Sequence, residues 1–283
     1  MRKSLKTFCA LLAAVLMTLV FCAWRPVPAD YTVERADVTS SGLLSENIVV
    51  EMFVPVDRQR NGATIIMCHG LTGCRENFRD YADRLAADGC TVCIFDFRGG
   101  GNECESEGST ATMSVITELQ DLTDVFGMVE SKDYVDPSRI FLLGHSQGGL
   151  VASLFAAENP DKVAGMFLMA PAYNIPDAIR ENFPEKINIL PVFPVEDMIL
   201  GYFYAYDIYD MDVYSEIQGY DGPVLIVHGS EDTTVPESYI TDALGCYSTC
   251  KFISYEGCDH IFSDQADKDR AYSDLYALLT PFV

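Results

Sequence analysis

From about residue 45, short apolar runs alternate with longer amphipathic stretches, and this order limits the folds that the chain can adopt. The apolar runs predict strands at residues 47–54, 63–68, 91–95, 139–143, 163–169, 224–227 and 251–255. The stretches between them have helical spacing at residues 76–88, 113–130, 147–158, from about 238, and at 267–279. Strands that alternate with helices favour a mostly parallel sheet with helices on both faces. We therefore predict an α/β fold.

Residues 171–221 interrupt this alternation. The segment holds five prolines and seven tyrosines, and its fifty or so residues are too many for a plain connection between two strands. Ligands bind beyond the carboxyl ends of the strands in open α/β sheets. We therefore expect a small cap insertion over that edge, after the sixth strand of the fold; a decorated crossover helix is the alternative.

The first 29 residues have the composition of an export signal. Three basic residues precede an uncharged, mostly apolar run at residues 7–24, and Val27 and Ala29 supply small side chains at a cleavage site before Asp30. An uncleaved anchor is the alternative, because about 18 apolar residues just span a bilayer. In either case we expect an exported protein, secreted or held at the cell surface.

The remaining residues, 30–283, suffice for one large α/β domain. The whole chain has 42 acidic and 19 basic residues and a formal net charge of −23, and four of the basic residues lie in the first 29. Such acidity disfavours nucleic acids and anionic membrane surfaces as partners. It does not identify a substrate.

Eight of the ten cysteines lie outside the first 29 residues. An even number of cysteines in an exported protein permits disulfides, although a domain of this size does not need them. Cys68 and Cys93 fall inside strand patterns, where a free thiol packs as a small hydrophobic group. Cys90 and Cys93 have the spacing of half a metal site, but no second pair follows at a suitable distance. We expect no metal and no cofactor.

The sequence Gly-His-Ser-Gln-Gly at residues 144–148 follows one predicted strand and begins the next predicted helix. Glycines on both sides of the serine allow a sharp turn that raises the hydroxyl above the sheet edge. The helix N-terminus behind that turn stabilises negative charge. This arrangement predicts that Ser146 is a nucleophile.

A serine hydroxyl needs a base to take its proton, and the chain has four histidines. His260 comes last in the chain and follows a predicted strand, as the order serine, acid, histidine requires. His69, His145 and His228 lie in or beside earlier turns, where we expect structural roles. His260 is therefore the predicted general base.

The acid should lie between the serine and the base in the chain, after a strand. Asp232 meets this condition, because it follows the predicted strand 224–227 and a short turn. Buried against His260, it would fix the tautomer of the ring and stabilise the imidazolium. Glu231 and Asp259 are alternatives by position.

Negative charge on a reacting carbonyl oxygen needs hydrogen-bond donors that are already in place. We expect the backbone N–H of Gln147 and that of Leu71, in the turn His-Gly-Leu-Thr-Gly at 69–73, to be these donors. Three glycines at 99–101 end another strand, but the Gly-Lys-Ser/Thr of a phosphate loop is missing. We predict a tight structural turn there.

Together these segments resemble the α/β-hydrolase superfamily over residues 45–281. Within it, the chain is similar to small bacterial cinnamoyl (feruloyl) esterases and to relatives called serine aminopeptidase-like or acylglycerol-lipase-like. The resemblance rests on six segments, at residues 69–73, 96–99, 144–149, 223–232, 235–236 and 257–260.

The resemblance implies a catalytic triad of Ser146, Asp232 and His260, with the N–H groups of Leu71 and Gln147 as the oxyanion hole. It also implies that the insertion covers the acyl group of the substrate. Leu71 stands where those esterases often carry an aromatic residue.

The expected activity is cleavage of a small-molecule carboxylic ester through an acyl-enzyme on Ser146, of the feruloyl or cinnamoyl type or with a short acyl group. A peptidase acting on short peptides and a monoacylglycerol lipase are alternatives with the same chemistry. A binding protein without turnover is an alternative from another class. The oligomeric state stays open.

Overall fold

The computed structural model describes residues 30–282, and an eight-stranded sheet forms its centre. The strands are β1 (Tyr31–Thr39), β2 (Asn47–Pro55), β3 (Thr64–Cys68), β4 (Thr91–Phe95), β5 (Ile140–His145), β6 (Gly165–Met169), β7 (Val192–Val195), β8 (Met198–Gly201), β9 (Val224–Gly229) and β10 (Cys250–Tyr255). The sheet order is β1-β2-β4-β3-β5-β6-β9-β10, and β7 pairs with β8 in a separate hairpin. β2 is antiparallel to both of its neighbours, and all the other pairs in the large sheet are parallel. The predicted fold class is confirmed.

Helices cover both faces of the sheet. They are α1 (Arg79–Ala87), α2 (Val115–Glu130), α3 (Gln147–Glu158), α4 (Ile175–Asn182), α5 (Tyr202–Tyr206), α6 (Val213–Glu216), α7 (Glu237–Ala243) and α8 (Gln265–Leu279). Neighbouring residues of β3 fall alternately into two apolar cores, with Ile66 on the side of α2 and α3 and Ile65 on the side of α1 and α8. Burial on both faces explains why the central strands are continuously apolar.

The first strand, β1, was not predicted. Each of its residues is at least partly exposed, and its charged side chains give no alternation of apolar and polar positions. It forms because its backbone pairs with β2 over nine residues, from Tyr31 opposite Pro55 to Thr39 opposite Asn47. An edge strand of this kind takes its structure from its partner.

The segment 171–221 follows β6 and contains α4, the β7–β8 hairpin, α5 and α6. It is therefore a set of short elements, and a single long crossover helix is not present in it. The predicted signal or anchor at residues 1–29 lies outside the described residues. Within 30–282, no helix is both long enough and apolar enough to cross a membrane.

Candidate active site

Ser146 occupies the turn between β5 and α3, in a backbone conformation with φ 53° and ψ −122°. Such a conformation is strained for a residue with a side chain. The flanking glycines are needed for space, since a Cβ on Gly148 would lie 2.2 Å from the carbonyl oxygen of Cys68, and one on Gly144 2.5 Å from that of Gly148. The strain therefore lies on the serine itself, and the glycines let α3 pack directly on β3.

The structure brings Ser146, His260 and Asp232 together. The Ser146 hydroxyl donates to Nε2 of His260 at 2.9 Å. Nδ1 of the same ring donates to Oδ2 of Asp232 at 2.7 Å. The three side chains come from the turns after β5, β10 and β9, which are parallel strands that end at the same edge of the sheet, with β6 between β5 and β9.

The Asp232 side chain has no exposed surface, and that of His260 is 13% exposed. Burial raises the pKa of Asp232, but the hydrogen bonds that its carboxylate accepts from His260 and from the backbone N–H groups of Val235 and Thr234 outweigh it. The net pKa lies below the usual range for aspartate. The carboxylate is therefore ionised at neutral pH and stabilises a positive charge on the ring.

The alternative acids point elsewhere. Glu231 is exposed. The carboxylate of Asp259 accepts bonds from the backbone N–H and the hydroxyl of Ser263, at 2.9 and 2.5 Å. The hydrogen-bond partners of the His260 ring nitrogens are Asp232 and Ser146.

The other three histidines are buried or partly buried in supporting positions. His69 uses both ring nitrogens, one toward the carbonyl of Gly70 at 2.8 Å and one toward the N–H of Phe97 at 3.0 Å. Nε2 of His228 lies 3.6 Å from Asp232, and neither of its ring nitrogens has a hydrogen-bond partner among residues 30–282.

His145 supports the loop that carries the predicted base. Its Nε2 lies 2.9 Å from the backbone oxygen of His260, and the two rings are 5.2 Å apart. Burial, together with the neighbouring His260 ring, lowers the pKa of His145 to about 4. The ring is therefore neutral at pH 7 and donates one hydrogen bond to that loop.

Leu71 and Gln147 both line the cavity beside Ser146. Neither backbone N–H donates to any acceptor within residues 30–282, so both stay available to a bound oxygen. A Cβ on Gly70 would lie 3.0 Å from Cβ of Ser146, so the absence of that atom lets the turn approach the serine. This geometry suits the stabilisation of an oxyanion.

The glycine turn at 99–101 packs against the turn at 69–73, which carries Leu71. The N–H of Thr72 donates to the carbonyl of Gly100 at 3.2 Å, and a Cβ on Gly101 would lie 2.5 Å from the carbonyl oxygen of Gly73. The turn at 99–101 is thus a tight structural turn.

Buried charges fix the same region. The Arg75 side chain forms ion pairs with Asp96, which is fully buried, and with Glu51 at 3.1 Å. Arg98 forms ion pairs with Asp121 at 2.6 Å and with Glu46 at 3.1 Å. Breaking one partner of such a buried pair is strongly destabilising, so these pairs hold the loops around the site in one arrangement.

A cavity of about 500 Å³ opens at Ser146. Its walls are mainly apolar and come largely from the segment 171–221, with Ile179, Phe183, Phe193 and Tyr204 among them. Glu196, on the turn between β7 and β8, also lines it. The volume lies within the range of about 300–1,000 Å³ that is typical of small-molecule sites.

One group of side chains within 30–282 has the spacing of metal ligands, His69, Asp96 and Cys104. Its atoms already have protein partners, because Asp96 accepts from the N–H groups of Arg75 and Glu105, and the Cys104 thiol donates to the Gly73 carbonyl at 3.3 Å. These bonds give the group a structural role. All eight cysteines in the described part of the chain are free thiols.

Two residues of the site were missed by sequence reasoning. Tyr204 lines the cavity and donates its hydroxyl to Oε1 of Gln147 at 2.7 Å. His145 was expected to be structural, without its contact to the His260 loop. Each of these contacts joins residues that are 57 or more positions apart, and no local sequence pattern reports such a distance.

Comparison with known proteins gives one family model and several relatives that match part of the chain. A family model described as serine aminopeptidase, S33, matches residues 59–194. The quorum-quenching protein AidA of Acinetobacter baumannii is 31% identical over 146 residues, which are 51% of this chain and 44% of AidA. Human monoglyceride lipase is 36% identical over 111 residues, which are 38% of this chain and 35% of the lipase. The chain thus spans less than half the length of either relative.

Solved structures match over much more of the chain. The ferulic acid complex of Est1E from Butyrivibrio proteoclasticus has a TM-score of 0.77 at 22% identity, over 87% of this chain and 99% of Est1E. The esterase Pf2001 of Pyrococcus furiosus has a TM-score of 0.65 at 18% identity, over 92% of this chain and 96% of the esterase. At these identities the likeness is one of fold.

Proposed function

We propose that this chain, which has the α/β-hydrolase fold and matches the family model serine aminopeptidase, S33 over residues 59–194, is an exported serine hydrolase that cleaves carboxylic esters. Ser146 would be the nucleophile, His260 the general base and Asp232 the acid that orients it. The observation that carries the proposal is the continuous pair of hydrogen bonds, 2.9 and 2.7 Å, from the serine through the ring to the buried carboxylate.

The reaction follows from these contacts in two steps. Oγ of Ser146 attacks the ester carbonyl carbon while Nε2 of His260 takes the hydroxyl proton, and the N–H groups of Leu71 and Gln147 bind the resulting oxyanion. Collapse of that intermediate breaks the bond to the alkoxy oxygen, which receives the proton from His260 and leaves as an alcohol. Water then attacks the acyl-enzyme with the same base, and the acid product and free Ser146 result.

The cavity supports an acyl group of moderate size and low polarity. Its apolar walls would bury a hydrocarbon or aromatic acyl chain, with a gain of about 25 cal/mol for each Å² removed from water. The ferulic acid bound to Est1E and the name of the human lipase suggest two substrate classes to compare, hydroxycinnamoyl esters and monoacylglycerols.

A substitution at the nucleophile tests the mechanism. We expect Ser146→Ala to lower kcat for a p-nitrophenyl ester by several powers of ten, because only the oxyanion donors and substrate binding would remain. A fluorophosphonate probe should label the wild type once and the variant not at all, as intact mass would show. Wild-type turnover by Ser146→Ala would reject the proposal, and turnover of no ester by the wild type would favour a binding protein.

The name of the matching family model favours one second candidate, a peptidase of the same fold. The two activities separate in one comparison of wild-type kcat/KM, with a short-chain acyl p-nitrophenyl ester against an aminoacyl p-nitroanilide. A panel of acetate, butyrate, octanoate, monoacylglycerol and methyl ferulate, with Ser146→Ala beside it, then identifies the acyl class.

A further inference from the structure

Three buried polar side chains form a row behind Ser146, which we call the Gln147 row. Tyr204 of α5 donates its hydroxyl to the amide oxygen of Gln147, the first residue of α3, at 2.7 Å. The amide of Gln147 also lowers the pKa of the carboxyl of Glu118, which lies in the first turn of α2. Tyr204 is 3% exposed, and the other two are each 1% exposed. The hydrogen bond joins the segment 171–221 to a residue of the candidate site, and the electrostatic effect of the Gln147 amide links that residue to α2.

Several polar atoms of the Gln147 row lack a hydrogen-bond partner within residues 30–282. Within residues 30–282, neither carboxyl oxygen of Glu118 nor the amide nitrogen of Gln147 reaches full hydrogen-bond geometry with a partner. Buried groups in this state are uncommon, because they lose hydration without gaining a bond. An apolar side chain at 118 would pack without that penalty. Core packing alone therefore does not explain the row.

Gln147 links the row to the expected reaction, because its backbone N–H is one of the expected oxyanion donors. Gln147 lines the cavity beside the serine, and its side chain accepts a hydrogen bond from Tyr204 of the segment 171–221. Tyr204 also lines the cavity, so the residue that orients Gln147 contacts the space where the acyl group would lie.

We propose that the Gln147 row positions the backbone N–H of Gln147 for the oxyanion, with Tyr204 and Glu118 as positioning residues that couple the cap to this donor. The inference rests on the function proposed above. It predicts that damage to the row weakens binding of the transition state while substrate binding is kept.

The protonation state of Glu118 matters for this role. Burial raises its pKa to about 8, against the opposite effect of the Gln147 amide. The carboxyl is therefore neutral at pH 7, and it becomes an anion near the oxyanion donor when the pH rises through about 8. The titratable groups that face it come from its own helix and from three other parts of the fold, namely Asp121, Cys68, Cys104 and Tyr204.

The first experiment removes one hydroxyl. Tyr204→Phe should lower kcat by about two- to tenfold, the equivalent of one neutral hydrogen bond, with KM unchanged. Affinity for a trifluoromethyl ketone, which loads the oxyanion hole, should fall by the same factor. Tyr220→Phe is the matched control, because its hydroxyl is as deeply buried and donates only to the Val163 carbonyl at 3.0 Å. A fall in kcat for the control as large as that for Tyr204→Phe would reject the inference.

The second experiment uses Glu118, in case Tyr204→Phe acts only by loosening the cap. Glu118→Gln keeps a neutral side chain of the same shape and should retain kcat at pH 7, whereas Glu118→Leu should lower it. Between pH 7 and 9, kcat of the wild type should fall relative to that of Glu118→Gln. Equal pH profiles for the two, or unchanged kcat in Tyr204→Phe, would overturn the inference. Ser146→Ala, assayed in parallel, separates this outcome from failure of the proposed function, since an active Ser146→Ala rejects the function itself.

Discussion

Hydrogen bonds of both its backbone N–H and its backbone carbonyl hold Ser146 in its strained conformation. Its N–H donates to the carbonyl of Met169 at 2.9 Å, and its own carbonyl accepts from Gly149 and Ala172, each at 2.9 Å. A non-glycine residue in this region of φ and ψ costs about 1–3 kcal/mol. Because these bonds belong to the rigid ends of β6 and α3, they offset the strain, and the hydroxyl stays in place when the site is empty.

The hydrogen bond from His260 to Asp232 is the contact that we expect to be most sensitive at the scale of one residue. Asp232→Asn should lower kcat by about 10⁴-fold with little change in KM, because an amide in that place favours the wrong tautomer of the ring. Steady-state kinetics with one p-nitrophenyl ester measures the effect. Asp259→Asn is the matched control, since it makes the same change beside the ring without touching it, and it should retain most of the activity. If the two variants lost equal activity, Asp232 would not be the acid.

The three residues of the predicted triad could be identified from the sequence, because they occur in a fixed order along the chain. Ser146, Asp232 and His260 each follow a strand, and parallel strands end at one edge of the sheet, so their meeting point could be predicted. The contact between Tyr204 and Gln147 could not, because it depends on how a cap element folds back on the sheet. The burial of Glu118 could not be predicted either, because it follows only from the packing of α2 on α3.

At the scale of elements, the site depends on how closely α3 approaches β3. A glycine at 148 removes the one atom that would keep the helix away from the carbonyl of Cys68. The helix N-terminus therefore lies against the turn that carries Leu71, and the two residues with the expected oxyanion donors line one cavity. Element packing thus determines the distance between the donors.

Two alanine substitutions test this packing, and we expect them to change the stability of the protein in opposite directions. Gly148→Ala should destabilise the protein by at least about 1–3 kcal/mol, because its Cβ would overlap backbone. Gly127→Ala, at an exposed position in the last turn of α2 with no heavy atom within 4 Å of the added Cβ, should stabilise by about 0.5–1 kcal/mol. Thermal unfolding should show a shift of about 2–4 °C per kcal/mol in each direction. A Tm for Gly148→Ala equal to or above that of the wild type would contradict the close approach.

The segment 171–221 shows what element patterns leave undetermined. Proline at 194 argues against a strand by propensity, yet it lies inside β7, where it is paired opposite Ile199 of β8. A hairpin that pairs with no other strand tolerates the missing N–H. The composition of the segment indicated an insertion, but its helices and hairpin are set by contacts with the sheet.

Over the whole molecule, acidic residues dominate the surface. Most of the basic residues in the described chain are paired with acids, including Arg75 and Arg98 in the interior and Arg84 with Asp269 at 2.8 Å on the surface. Acidic residues therefore outnumber the basic residues that could pair with them. Such a surface repels polyanions and keeps the protein dispersed, which suits the proposed small uncharged substrates.

The proposed export of the protein depends on residues 1–29 and can be tested directly. β1 begins at Tyr31, so cleavage before Asp30 would leave the complete sheet intact. We expect N-terminal sequencing of the exported protein to give Asp30, and the mature form to have full esterase activity. Leu16→Arg should block export, since a charge at the centre of the apolar run costs about 2.5–3.5 kcal/mol on insertion; Leu16→Val is the control. Full-length protein in the membrane fraction would indicate an anchor, whereas full-length protein in the cytosol would contradict export.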